Sequence, residues 1–256
     1  MTVVGVNGAT GQMGRAVIEA AGDRDDVRVA FGSDVDTDAD VGVPLYDPSA
    51  LADALAEHAP DAMIDFTVPE ATTDLAEACA NVGVALVVGT TGFEDGQLSV
   101  LQETSEAVPV LKATNFSRGI QGLLGALGPA LEGLDGYDVE VMETHHNRKR
   151  DAPSGTAKTI LERIAEFREF ETVAGREGIQ PREEGEVGML VRRAGDIRGE
   201  HEVILADNDE VLSISHRAED RGVFAAGALD AAVWLAGREP GWYGFDDVVG
   251  EEPTDH

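Results

Sequence analysis

Apolar residues in the first 115 positions come in short dense runs separated by longer stretches with helical spacing. TVVGVNG reads as a buried strand followed by a helix over residues 15–21, and VRVAFGS as a second strand. A helix over 48–58 precedes the strand DAMIDFT, and another over 69–82 precedes the strand and turn VALVVGTTGF. A helix over 97–107 leads into a fifth strand, VPVLKATNF. Strands that are apolar throughout and alternate with helices call for a parallel sheet covered on both faces.

The pattern changes after residue 115. An apolar helix is predicted over 119–134, and YDVEVMETHH then alternates polar and apolar positions as a half-solvated strand does. A helix over 156–170 and three alternating strands, EVGMLVRRAG, HEVILADN and VLSISHRAE, complete a segment that reads as an open antiparallel sheet with helices. Residues 222–237 form one more strongly apolar helix. The pattern thus predicts an α/β protein in two domains: a Rossmann-type parallel-sheet domain over 1–115, to which 221–256 returns, and an α+β domain with an open mixed sheet over 116–220. The sequence contains no internal repeat.

Charge changes the picture. In 256 residues there are 19 Lys+Arg against 49 Asp+Glu, a formal net charge of -30, and the lysines are Lys112, Lys149 and Lys158 alone. Such a chain repels nucleic acid and anionic membranes. With the apolar periodicity above, the charge implies a folded protein whose acidic surface is adapted to high salt rather than a disordered one. No apolar run reaches the roughly 18–20 residues of a membrane span, and the first residues lack the basic start of a signal peptide. A soluble cytoplasmic enzyme is expected. The single cysteine, Cys79, lies on a helical apolar stripe and reads as a core residue, which leaves no cysteine-based metal site.

Two segments carry chemistry. Gly8, Gly11 and Gly14 in NGATGQMGR follow a strand and open a helix, a turn that lets the backbone approach a pyrophosphate at the helix N-terminus. Asp34, 20 residues beyond Gly14, is placed to accept ribose hydroxyls, although it is also one of several acids in an acid-rich loop. GTTGF and ATNF each follow a strand and should line the nicotinamide end.

The second segment is ETHHNRKRDAPSGTA. From His145 to Arg150, five of six residues are His, Arg or Lys. Local positive charge in a repelling field suits a small polyanion. Ser154 can cap the next helix, leaving the Gly155 and Thr156 amides for a carboxylate. Strand alternation points His145 and His146 in opposite directions, so that one can act as a general acid while the other binds. Adjacent histidines without a spaced third ligand make a poor zinc site, and no metal is expected.

With these motifs the chain resembles the 4-hydroxy-tetrahydrodipicolinate reductase (dihydrodipicolinate reductase) family of lysine biosynthesis by the diaminopimelate route, over essentially its whole length: GATGQMGR, IDFTVPE, VVGTTGF, ATNFSRG, ETHHNRKRDAPSGTA, RRAGDIRGEH and SHRAEDRGVFAAGAL. The resemblance implies that Gly8, Ala9, Thr10, Gly11, Gln12 and Met13 form the phosphate loop and that Asp34 holds the ribose. It places Gly89, Thr90 and Thr91, with Ala113, Thr114, Asn115 and Phe116, at the nicotinamide. It makes His145 the proton donor, Lys149 its catalytic companion, and His146, Gly155 and Thr156 the ligands of a small dicarboxylate substrate. It further implies that 1–115 is the dinucleotide-binding domain and 116–220 the substrate-binding and oligomerisation domain, with a homotetramer joined through the second domain's sheet. Val35 and Val68 depart from members that carry basic residues there, so NADH is the expected cofactor, with NADPH as the second. The competing readings are another two-domain dehydrogenase of a small carboxylated substrate, and an NAD-binding sensor. Neither requires the His-His-Lys-Ser-Gly-Thr cluster.

Overall fold

The computed structural model describes residues 1–250 and divides into two units: Met1–Ser117 together with the chain from Arg221 on, and Arg118–Asp220. Residues 251–256 of the tail expected to return to the first domain lie outside the described residues. None of the described helices is long and apolar enough to cross a membrane.

The first unit is built on β1 (Thr2–Asn7), β2 (Val27–Ser33), β3 (Leu45–Tyr46), β4 (Ala62–Asp65), β5 (Ala85–Val88), β6 (Pro109–Lys112) and β12 (Gly241–Tyr243). All run parallel, in the order β12-β6-β5-β4-β1-β2-β3. The chain steps outward from β1 through β2 to β3 and then returns to the other side of β1 at β4. The order therefore reverses between β1 and β4, where an open α/β sheet takes its ligand beyond the strand ends. One face packs on α1 (Gln12–Gly22) and α7 (Gly222–Leu235), whose Ala225, Ala228, Leu229, Ala232 and Leu235 meet Val4, Val6, Ile64 and Val87. The other face packs on α2 (Leu51–His58), α3 (Pro69–Val82) and α4 (Asp95–Ser105). Here Cys79 is fully buried among Leu75, Leu86 and Leu101.

The second unit pairs β7 (Asp138–His145), β8 (Glu171–Ala174), β9 (Glu186–Arg193), β10 (Glu200–Asp207) and β11 (Glu210–Arg217) in the order β11-β10-β7-β9-β8. The sheet is mixed, as expected: β10 runs antiparallel to both its neighbours, whereas β7, β9 and β8 run parallel, because helix α6 (Gly155–Ala165) and β8 carry the chain back across the sheet before β9 begins. Helix α6 ends at Ala165, earlier than the apolar spacing suggests. Phe167 and Phe170 continue that spacing by packing on the core from the following turn. One face of the sheet meets α5 (Arg118–Gly133) and α6 through Leu123, Leu127, Ile160 and Ile164. Leu190 and Val191 of β9 and Val211 and Leu212 of β11 are exposed.

Candidate active site

In the first unit, β1 ends in a turn shaped for close backbone approach. Gly8 has φ +80, and a Cβ on Gly14 would lie 2.1 Å from the Gly8 carbonyl oxygen, so helix α1 can start this tightly only with glycine at that position. Gly11 is the N-cap of α1 and supplies no side-chain cap. The first-turn amides, Gln12 and Met13 among them, are thus left for an outside acceptor, and the helix dipole favours an anion there. Ala9 is buried under this turn. Thr10 N–H donates to Asp34 Oδ2 at 2.9 Å. Burial works against charge on Asp34, but hydrogen bonds from Thr10, Asp36 and Val35 outweigh it and hold the carboxyl below its usual range. These features fit a dinucleotide: a glycine cradle that a Cβ would fill, an uncapped helix start, and an ionised acid one turn away.

The strand ends beside this turn are tied by a residue that the sequence reading passed over. Asp65, at the end of β4, is fully buried and accepts four hydrogen bonds. They come from Asn7 Nδ2 (2.8 Å), Thr67 Oγ1 (2.7 Å), Thr72 Oγ1 (2.7 Å) and Thr90 Oγ1 (2.6 Å). Thr90 Oγ1 also accepts from Thr67 N–H at 3.0 Å. One carboxylate thereby joins the ends of β1 and β4, the start of α3 and the loop after β5. The signal for it was a lone acid closing the fully buried strand AMID. Gly89 lies against Phe66, where a Cβ would be 2.1 Å from Cε1, and Thr91 is exposed at the loop tip. In the loop after β6, Ala113 N–H donates to Val88 O (3.1 Å), Thr114 is exposed, and Asn115 Oδ1 accepts from Ser117 N–H (2.8 Å). The Phe116 ring does not face outward as a cofactor contact would; it is core, edge-on to Phe66 and Phe245.

In the second unit the alternation of β7 puts Val139, Val141, Glu143 and His145 on the buried face. His201 of β10 stands opposite Glu143, and Arg193 of β9 opposite His145. Glu143 Oε2 is 2.6 Å from His145 Nδ1, close enough for an ion pair though not aligned as a linear hydrogen bond. Its Oε1 accepts from Ser154 N–H at 2.9 Å and from Arg193 Nη2 at 3.1 Å. Burial opposes the charge on Glu143, but His145, Ser154 and Arg193 together bring its carboxyl down to about 2. Burial, with help from His145, pushes His201 down to about 4, and its ring meets that of His145 edge-on at 5.2 Å. His201 is thus a neutral partner at neutral pH, and its Nε2 is 3.3 Å from Ser154 Oγ.

His146 is half-buried at the strand end, and the basic loop begins there. Lys149 Nζ pairs with Asp151 Oδ1 at 2.9 Å, and Arg148 with Asp196 at 2.9 Å. Lys149 therefore already carries a counter-ion. Ser154 caps α6 by accepting from Ala157 N–H at 3.2 Å; Gly155 is exposed and Thr156 buried at the helix start. Glu143, His145 and His201 hold one ligand-type atom each within 4.8 Å of one another. The short Glu143–His145 approach leaves no gap for a cation, and the Arg193 guanidinium already supplies positive charge on the same carboxylate. The trio is held from outside by Ser154 and Arg193, and within by the Glu143–His145 approach and the edge-on histidine rings.

Comparison with known proteins gives the family. The family model described as dihydrodipicolinate reductase, N-terminus, matches residues 2–116, and that for its C-terminus matches 119–249. The chain belongs to the dihydrodipicolinate reductase family. A curated 4-hydroxy-tetrahydrodipicolinate reductase of Haloarcula marismortui is 61% identical over 97% of this chain and 99% of its own. A reductase of the same name from Caulobacter vibrioides is 44% identical over 96% of each. Among solved structures, a dipicolinate-bound dihydrodipicolinate reductase from Paenisporosarcina sp. TG-14 superposes with TM-score 0.79 at 22% identity, covering 96% of this chain and 99% of that one. An amine dehydrogenase from Mycobacterium smegmatis superposes with TM-score 0.63 at 13% identity, over 96% and 95%. At such identities these two show the fold alone. Since the fold is shared with other dehydrogenases, it does not separate the competing readings; the family models and close relatives do.

Proposed function

We propose that this chain reduces 4-hydroxy-tetrahydrodipicolinate, after loss of water, to tetrahydrodipicolinate with a reduced nicotinamide dinucleotide, in lysine biosynthesis by the diaminopimelate route. The observation that carries the reading is the matched length of the chain together with the cluster of His145, Glu143, Ser154 and Lys149 on one strand end and one helix start. A bound reduced nicotinamide supplies hydride to a ring carbon of the conjugated imine. His145 gives a proton to the adjacent carbon as negative charge spreads over the ring. The Gly155 and Thr156 amides at the start of α6, with His146, hold a substrate carboxylate, and Lys149 lends its charge to the developing anion. Gly8 through Met13 bind the pyrophosphate, Asp34 the ribose, and the loops at Gly89–Thr91 and Ala113–Phe116 the nicotinamide, Phe116 through its backbone. The test is oxidation of NADH by substrate generated in place with the preceding synthase; purified protein that turns over none of it would refute the reading.

NADH is the preferred dinucleotide on this reading. Asp34 is held ionised and repels a 2′-phosphate, and Val35 is 82% exposed with no charge to offer. Arg15 reaches the same loop, but its Nε and Nη1 are engaged by the Thr10 and Asp40 carbonyls. Val35→Arg should tighten NADPH about tenfold, the scale of one charge-assisted hydrogen bond. Fluorescence titration of both dinucleotides checks this, and a wild type that binds NADPH more tightly than NADH contradicts it.

The acidic surface belongs to a cytoplasmic enzyme adapted to high salt, assembled as a homotetramer through the exposed strands of the second unit. With a formal charge of -30, self-repulsion opposes the compact state. The screening length shrinks from about 10 Å at 0.1 M salt to about 3 Å at 1 M. The melting temperature should rise over that interval, and light scattering at 1 M salt should give four times the chain mass. A flat salt profile would end the halophilic reading.

A further inference from the structure

Two carboxylates are fully buried among the described residues, Asp65 and Glu143. Asp65 is explained by the strand ends it ties together. Glu143 sits behind the histidine that faces chemistry, and no role above has used it. A buried carboxylate is costly unless its surroundings compensate, and the three contacts that Glu143 makes, two hydrogen bonds and one close approach, come from parts with separate tasks. Ser154 N–H belongs to the cap of the carboxylate-binding helix, Arg193 to the neighbouring strand, and the third contact is the imidazole of His145.

The two ring nitrogens of His145 are thereby distinguished. Nδ1 is 2.6 Å from Glu143 Oε2. Nε2 looks toward Gly199, where a Cβ would stand only 3.1 Å away, so the absence of a side chain there keeps that nitrogen clear. His201 meets the ring edge-on. An ionised carboxylate accepts and cannot donate, so it fixes a proton on the nitrogen it faces.

We propose that Glu143 is a positioning residue for the proton donor: it retains the Nδ1 proton of His145, so that the proton delivered to substrate leaves from Nε2 and is replaced there. In that step the Nε2–H bond breaks and its electron pair stays on nitrogen. The new C–H bond takes its pair from the conjugated system that has just received hydride. The neutral imidazole left behind keeps Nδ1–H against Glu143 and is recharged at Nε2 from water. Through Oε1 the same carboxylate holds Ser154, which couples the proton donor to the helix start that grips the substrate.

This inference rests on the role given to His145, and the experiment separates the two. In Glu143→Gln the amide oxygen keeps Ser154 N–H, while the amide N–H₂ now faces Nδ1 and demands the opposite tautomer. Expected is a fall in kcat of about 10²–10⁴-fold, the scale seen when an amide replaces the carboxylate behind a catalytic histidine, with KM within about threefold. In the His145→Gln background the same change should cost less than about threefold, because the residue it acts through is gone. Dinucleotide affinity, read by fluorescence, reports the state of the other unit and should not move. If Glu143→Gln does not fold, Glu143→Asp keeps the charge but withdraws it from Nδ1; its smaller loss in kcat should likewise vanish without His145. Equal losses in both backgrounds, or a kcat within threefold of wild type, would overturn the inference and leave the activity standing. Wild-type turnover that His145→Gln does not reduce would overturn the His145 assignment, and this inference with it.

Discussion

His145→Gln is expected to lower kcat by about 10²–10⁴-fold, the range for loss of a general acid, with little change in dinucleotide affinity. The ring is 8% exposed and fixed by Glu143 and His201, so a glutamine of similar reach keeps the packing but cannot carry the proton. Lys149→Met should fail differently. In the role proposed for it, its ammonium would act on the substrate's charge in both ground and transition states, so KM should rise as kcat falls. The Asp151 counter-ion sharpens the contrast: once Lys149 is gone, Asp151 stands as an uncompensated negative charge beside an anionic ligand. His146→Gln should mainly raise KM. Steady-state kinetics on the three variants, with NADH affinity as control, checks the set. A His145→Gln enzyme within about tenfold of wild type would mean that the proton comes from Lys149 or from water.

Asp65→Ala should be the most destabilising single change in the dinucleotide unit. It leaves the Asn7 amide and the hydroxyls of Thr67, Thr72 and Thr90 without the acceptor they share in the core. Leaving several buried donors without their acceptor costs about 3–5 kcal/mol, or roughly 10 °C in melting temperature for a protein of this size. Asp65→Asn should cost less than half of that. Its oxygen keeps Asn7 and Thr67, and the Thr72 and Thr90 hydroxyls can rotate to accept from the new N–H₂. Thermal melts of both variants in high salt test the order. An alanine variant melting within about 3 °C of wild type would show that water or repacking replaces the hub.

The fold class was legible because its signals are long: four-residue apolar runs, helices of eleven or more residues, and a glycine turn between the first strand and helix. What escaped was short or relational. Leu45–Tyr46 and Gly241–Tyr243 are too brief to show a period, Glu171–Ala174 is largely exposed and carries no apolar run, and the parallel pairing of β7 with β9 depends on the path of the intervening chain. In the site, the glycine turn, the basic loop and the Ser154 cap were visible as local spacing. Asp65 and Glu143 were harder, since an acid's worth depends on partners distant in sequence. Glu143 nevertheless left a trace: it shares the parity of Val139 and Val141, so the strand that pointed His145 inward pointed it inward too. At Phe116 the sequence motif gave no sign that the ring belongs to the core, edge-on to Phe66 and Phe245, which leaves its backbone to face the loop.

Helix α7 gives the chain an order of completion. The first sheet has five of its seven strands synthesised before residue 100, yet the face formed by Val4, Val6, Ile64 and Val87 is covered by α1 alone until Ala225–Leu235 emerges from the ribosome. The unit Arg118–Asp220 is one continuous stretch and is finished earlier, although it begins later. During translation the N-terminal segment must therefore wait, with part of its apolar face open, while the inserted unit is made and folds. A gene fragment ending at Ser117 would carry the whole glycine turn and still lack the lid of its own core.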